Sequence, residues 1–135
     1  MSISSQQTCV DLFGLLDIFK RGLRDLAEEK GLTIIQLMAL YNIQKQPDIL
    51  MSQMASLLHC DASNVTGIVD RLVAQDLISR KECERDRRAK ALRATEKGEA
   101  TVEEIMNALP NRLGCQRLGD NDRQFLHEAL QKLYV

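Results

Sequence analysis

Tryptophan is absent and aromatic residues make up only 4% of the 135-residue chain. That scarcity argues against the stacking platforms with which proteins hold single-stranded nucleic acid. Two prolines and seven glycines leave few interruptions, and runs rich in Leu, Ala, Gln, Glu and Lys favour helix over sheet. No stretch approaches the ~20 consecutive apolar residues that span a bilayer. The first residues lack the basic start and small-residue cleavage site of a secretory signal, so a cytoplasmic location without membrane contact is expected. The four cysteines, Cys9, Cys60, Cys83 and Cys115, are scattered with no CxxC pair, which indicates neither a zinc ribbon nor a disulfide framework. Also missing are clustered carboxylates, a nucleophile paired with histidine and a phosphate-cradling glycine loop, so neither an enzyme nor a cofactor is expected.

Charge is present but unevenly placed. The formal net charge is −1, yet Arg80–Lys97 holds eight Lys or Arg against four Asp or Glu. Residues 1–79 hold six against nine, and residues 98–135 four against six. A nearly neutral chain that gathers its cations in one short segment is suited to a polyanion, and duplex DNA is the leading candidate.

The length allows one domain, or one domain with an oligomerisation element. Apolar positions Cys9, Leu12, Leu16, Phe19, Leu23 and Leu26 predict a first helix over about Gln7–Lys30, ended by Gly31. Thr33 and Gln36 form a capping-box pattern opening a helix to about Gln44 that buries Leu37, Met38, Leu40 and Tyr41. After a Pro47–Asp48 loop, Ser52 is expected to cap a short helix with Met54, Ala55, Leu57 and Leu58 inward. His59–Asp61 makes a tight connection, and Asp61 caps a further helix to about Gln75 with Val65, Ile68, Val69 and Leu72 buried. This is a helix-turn-helix arrangement. Ser63, Asn64, Thr66 and Gly67 lie on its outer surface near the N-terminus, with Asp70 and Arg71 a turn later. Small polar groups there let a helix backbone approach base edges while amide and hydroxyl groups hydrogen-bond with them, although a solvated helix can present the same residues.

The next segment, ISRKECERDRRAKALRATEK, reads as strand Ile78–Glu82, a connection Cys83–Arg88 and a returning strand Ala89–Ala94. A hairpin directly after a recognition helix is a wing, and a basic wing tip can enter a minor groove. Thr95 caps a fifth helix that buries Val102, Ile105, Met106 and Leu109 and is expected to stop at Pro110. Gly119-Asp120-Asn121 opens a last helix with Phe125, Leu126, Ala129, Leu130 and Leu133 on one face. The seam of the first helix fits an intramolecular core or a subunit interface, and because the two end helices carry more apolar surface than the middle of the chain can cover, dimerisation through them is expected.

Four stretches together resemble the MarR family of bacterial winged-helix transcription regulators: LTIIQLMAL (32–40), MASLLHCDASNVTGIVDRLVAQDLISR (54–80), ERDRRAKALRATEKG (84–98) and LGDNDRQFLHEALQKL (118–133). The family's wing pattern Asp-x-Arg-Asp-x-Arg is matched at Arg85, Asp86 and Arg88. Cys83 stands in place of its first Asp, Gly67 where a longer and often basic side chain is common, and Asp76 where a Gly usually ends the recognition helix. The resemblance implies a mainly α fold, about six helices with a two-stranded wing. Residues 1–30 and 98–135 would be dimerisation helices and residues 31–97 the winged helix-turn-helix.

It further implies a homodimeric DNA-binding repressor that reads a pseudo-palindromic operator and is released by a small effector bound in a pocket between the dimerisation helices and the winged helix. Ser63, Asn64 and Thr66 would face the major groove. Arg88 would enter the minor groove, oriented by Asp86 through a carboxylate–guanidinium pair. Arg85, Arg87 and Lys90 would give phosphate contacts or wing rigidity, and Arg71 a phosphate contact or a salt bridge. Cys9 lies 24 residues before Thr33, where the peroxide-sensing branch carries its reactive cysteine. The tyrosines that help activate the thiol in that branch are replaced by Leu23 and Ile34, so Cys9 reads first as a small apolar residue. Two alternatives stay open on sequence: redox sensing through Cys9, and a winged-helix module that binds protein as an antirepressor does.

Overall fold

A computed structural model describes residues 2–86 and 88–134. Helix α1 (Ser5–Glu29) is followed by α2 (Ile34–Lys45), the short strand β1 (Ile49–Leu50), α3 (Met51–Leu58) and α4 (Ala62–Ala74). Strands β2 (Ile78–Glu82) and β3 (Lys90–Ala94) lead into α5 (Glu96–Leu113), a 3-10 turn (Cys115–Arg117) and α6 (Asp120–Leu133). Polar side chains start most of these helices where the spacing predicts them. The Ser4 and Thr95 hydroxyls accept from the amides of Gln7 and Gly98. Thr33 and Gln36 close a complete capping box, with bonds of 3.0 and 3.2 Å.

The core lies between α2, α4, α5 and the sheet, where Leu37, Leu40, Ile43, Ile49, Met54, Leu72, Leu92 and Ile105 are fully enclosed. The sheet has three antiparallel strands in the order β1-β3-β2, rather than the expected two. Ile49 pairs with Leu92, and the wing register runs from Ile78 opposite Ala94 to Glu82 opposite Lys90. A two-residue strand is too short to show a hydrophobic period, so only loop was legible at 47–50.

Several finer expectations are corrected. Ser52 does not cap α3: the helix begins at Met51, and Gln53 reaches back to accept from the Leu50 amide at 2.9 Å. Leu57 is 49% exposed because this eight-residue helix buries only the stripe through Met54 and Leu58. Met38 is 44% exposed, facing a cavity rather than the core. Pro110 does not stop α5, which runs to Leu113 and ends at Gly114 in the left-handed conformation with φ 71°. Proline removes one amide donor, but a helix so near its end has few bonds left to lose.

On the α1 seam only Leu26 is buried, while Cys9, Leu16 and Phe19 are exposed. Helix α6 buries none of its residues. Phe13 on α1 and Phe125 on α6 are each 75% exposed.

Behind α4 the chain turns tightly. Asp76 takes the left-handed conformation (φ 60°) in the place where the family usually has Gly, and the Leu77 amide bonds to the Leu72 carbonyl at 2.9 Å. Asp tolerates this region better than most residues. The start of α5 closes over that turn. Thr95 donates its hydroxyl to the Asp76 carbonyl at 2.6 Å, and Lys97 donates to the Gln75 carbonyl at 2.8 Å. Gly98 lies directly against the Leu77 carbonyl, where an added Cβ would fall 2.0 Å from the oxygen. At Gly67, in contrast, a Cβ would meet nothing. Gly98→Ala therefore costs more than about 2 kcal/mol in urea unfolding, whereas Gly67→Ala adds roughly 0.5–1 kcal/mol of stability. Equal stability of the two variants would refute this account of the turn.

Candidate nucleic-acid interface

The helix-turn-helix corner forms from backbone conformation and one carboxylate. His59 closes α3 in the left-handed region (φ 52°), and the Asp61 carboxylate accepts from the Asn64 amide and the Ser63 hydroxyl, each at 2.8 Å. Those two bonds, the Asn64 amide first, hold the Asp61 carboxyl below the usual carboxylate range. Helix α4 then buries Val65, Val69 and Leu72, with Ile68 half-buried beside them. Ser63, Asn64, Thr66, Gly67, Asp70 and Arg71 are all exposed. Thr66 donates its hydroxyl back to the Ala62 carbonyl at 3.0 Å. Asp70 is held by Arg80 of β2 at 2.6 Å, which ties the recognition helix to the base of the wing.

The wing tip is closed by the Cys83 amide on the Ala89 carbonyl at 2.9 Å and the Ala89 amide on the Asp86 carbonyl at 3.0 Å. Asp86 accepts from the backbone amide of Arg88 at 3.0 Å. Its carboxylate thus shapes the turn in place of the expected pair with the guanidinium. Arg85 and Arg88 are exposed, and Arg88 borders a small hollow with Leu50, Met51 and Ser52 at the start of α3. Arg87 falls outside the described residues. Lys90 pairs with Glu82 at 3.3 Å across the hairpin, and Arg93 with Asp48 at 2.6 Å. Exposed pairs of this kind contribute ~0–1 kcal/mol, so a phosphate can displace the carboxylates at small cost.

One feature escaped the sequence reading, and another was implied by the resemblance without its walls being named. One is the pairing of Arg80 and Arg93 with Asp70 and Asp48, which join residues 10 and 45 apart in the chain. The other is a cavity of about 440 Å³ between α1, α2 and α5, bordered by Phe19, Lys20, Leu23, Met38, Tyr41 and Met106. Leu23 and Ile34, which stand where the redox branch has tyrosines, both border this cavity. Cys9 is exposed on α1, and all four cysteines are free thiols.

Known proteins share this arrangement. Residues 32–90 match the family model described as MarR family. The HTH-type transcriptional repressor MdtR of Bacillus subtilis is 33% identical over 79 residues, covering 58% of this chain but only 51% of its own length. The chain thus spans about half of that relative. The organic hydroperoxide resistance transcriptional regulator of the same organism is 25% identical over 127 residues, 94% of this chain and 86% of that one. Apo MarR of E. coli superimposes with a TM-score of 0.82 at 20% identity, over 100% of this chain and 99% of its own. A mutant of that protein in complex with operator DNA gives 0.70 at 20% identity, over 92% and 91%. At such identity the structural likeness establishes the fold.

The Asp61 cap has a pH signature. Because its folded pKa is depressed, its contribution is present above the ordinary carboxylate pKa of ~3.9 and is lost as pH falls through the lower folded value. Asp61→Ala is therefore less stable than the parent at neutral pH, and the two converge as acid protonates the carboxyl. A difference in melting temperature that stayed constant from pH 7 to pH 2 would contradict the cap.

Proposed function

We propose that this chain, which carries a MarR-family domain over residues 32–90, is a sequence-specific DNA-binding transcription regulator acting as a repressor. The observation that carries this reading is a recognition helix with an exposed polar N-terminal face, followed at once by a hairpin whose tip holds Arg85 and Arg88 in solvent. Helix α4 enters the major groove with Ser63, Asn64 and Thr66 at the base edges. Arg88 enters the flanking minor groove, where narrow A·T-rich stretches concentrate negative potential. Arg71, Arg85, Arg87 and Lys90 serve the phosphates.

The bare faces of α1 and α6 pair two copies, so residues 1–30 and 98–135 form the dimerisation region and residues 31–97 the reading head. A two-fold dimer of this kind reads half-sites about 10 base pairs apart. The cavity between α1, α2 and α5 adjoins both regions and suits a small effector that shifts the balance between DNA-competent and released dimers. Regulation of this type places the protein in the cytoplasm. The redox alternative through Cys9 lacks the supporting hydroxyls, since Leu23 and Ile34 are apolar.

Salt dependence tests this reading. Neutralising several phosphates makes log affinity fall linearly with log salt, whereas a protein-binding module shows little affinity for duplex at any salt. Arg88→Ala weakens binding by ~1–3 kcal/mol in a fluorescence titration. Unchanged affinity would remove the wing from the interface.

A further inference from the structure

Three polar side chains share the N-terminal face of α4, but their hydrogen-bonding capacity differs. Ser63 has one hydroxyl proton and gives it to the Asp61 carboxylate at 2.8 Å. Thr66 gives its single proton to the Ala62 carbonyl at 3.0 Å. Each therefore offers only acceptor lone pairs outward. The Asn64 amide nitrogen of the backbone is engaged by the cap, but its side-chain carboxamide has no partner among the described residues and is exposed. Asn64 alone of the three presents a donor and an acceptor together.

The two longer side chains nearby are less suited to reading a base. Asp70 is held by Arg80. Arg71 stands two helical turns beyond Asn64, about 10 Å along the axis, while a recognition helix presents its N-terminal residues to the base edges. Between Asn64 and Arg71 lies Gly67, whose missing Cβ leaves open space. No packing among the described residues requires a glycine there, and in a helix interior it costs about 1 kcal/mol relative to alanine. Its effect is to leave a notch beside Asn64 that lets the backbone settle against the groove.

We infer that Asn64 is the sequence-determining residue of each half-site and that it reads an adenine. The carboxamide donates to N7 and accepts from the N6 amino group, the bidentate geometry that distinguishes adenine in the major groove. Ser63 and Thr66 support the helix and offer acceptors without fixing the base, and Gly67 permits the approach. The inference rests on the DNA-binding reading above.

The test is selection of bound duplexes from a random pool, followed by titration of the best duplex with adenine replaced by 7-deazaadenine at each adenine in turn. The parent protein selects one invariant adenine per half-site, and removing N7 there lowers affinity about 5- to 50-fold. Asn64→Ala, checked for an unchanged melting temperature, binds more weakly and no longer selects that position. Gly67→Leu folds, with a closed notch, and binds the selected duplex less tightly. If Asn64→Ala selects the same invariant positions as the parent, the assignment is overturned while DNA binding stands. If the parent enriches no duplex at all, the DNA-binding reading itself fails, and this assignment with it.

Discussion

The contact between Gly98 and the Leu77 carbonyl governs how the parts of this molecule are held together. Leu77 ends the turn after the recognition helix and leads into the first wing strand, while Gly98 is in the first turn of α5. The Thr95 hydroxyl and Lys97 amine bond to the carbonyls of Asp76 and Gln75 beside it, and the Thr95 amide bonds to Leu77 itself at 3.0 Å. Three carbonyls at the end of α4 are thereby satisfied by one short stretch of α5. Leu77 is buried, and a buried carbonyl left without a donor is costly, so this junction ties α4, the wing and α5 together. The Thr-Glu-Lys-Gly sequence at 95–98 is the covalent expression of that requirement.

From this junction the rest follows by geometry and charge. Helix α5 packs along α1, with ion pairs between Lys30 and Glu104 and between Arg112 and Glu29. Gly22 of α1 admits the Leu113 side chain, where a Cβ would stand 3.2 Å from it. The cavity between α1, α2 and α5 adjoins the helix whose first residues bond to the turn after α4. Surface pairs on the wing and on α4 hold Arg80, Lys90 and Arg93 against carboxylates at little energetic cost. The apolar faces of α1 and α6 stay bare in a single copy, as the proposed pairing of two copies requires.

Much of this was legible from residue order. Capping residues Thr33, Asp61 and Thr95 marked three helix starts because a side-chain oxygen three residues from an orphan amide is a local, one-dimensional signal. The wing showed itself through its charge and its position after α4. What escaped was non-local or shallow in sequence. Strand β1 is two residues long, Ser52 looked like a cap because the Gln53 reach-back is indistinguishable from an ordinary polar residue, and Leu57 and Met38 are apolar residues on faces that the core does not use. Asp86 illustrates the same limit within the site: its residue type pointed to an ion pair with Arg88, while the tight tip brought the backbone amide closer than the guanidinium. The residues of the cavity could not be named because its walls come from three helices separated in the chain.

Sedimentation equilibrium of the protein alone and with a duplex of about 24 base pairs, long enough for two half-sites at the ~10-base-pair spacing of such dimers, tests the central claim most directly. Two copies associated in solution, and two bound per duplex with no stable one-to-one complex, are the result this account predicts. A chain that sediments as a single copy in both conditions would contradict it.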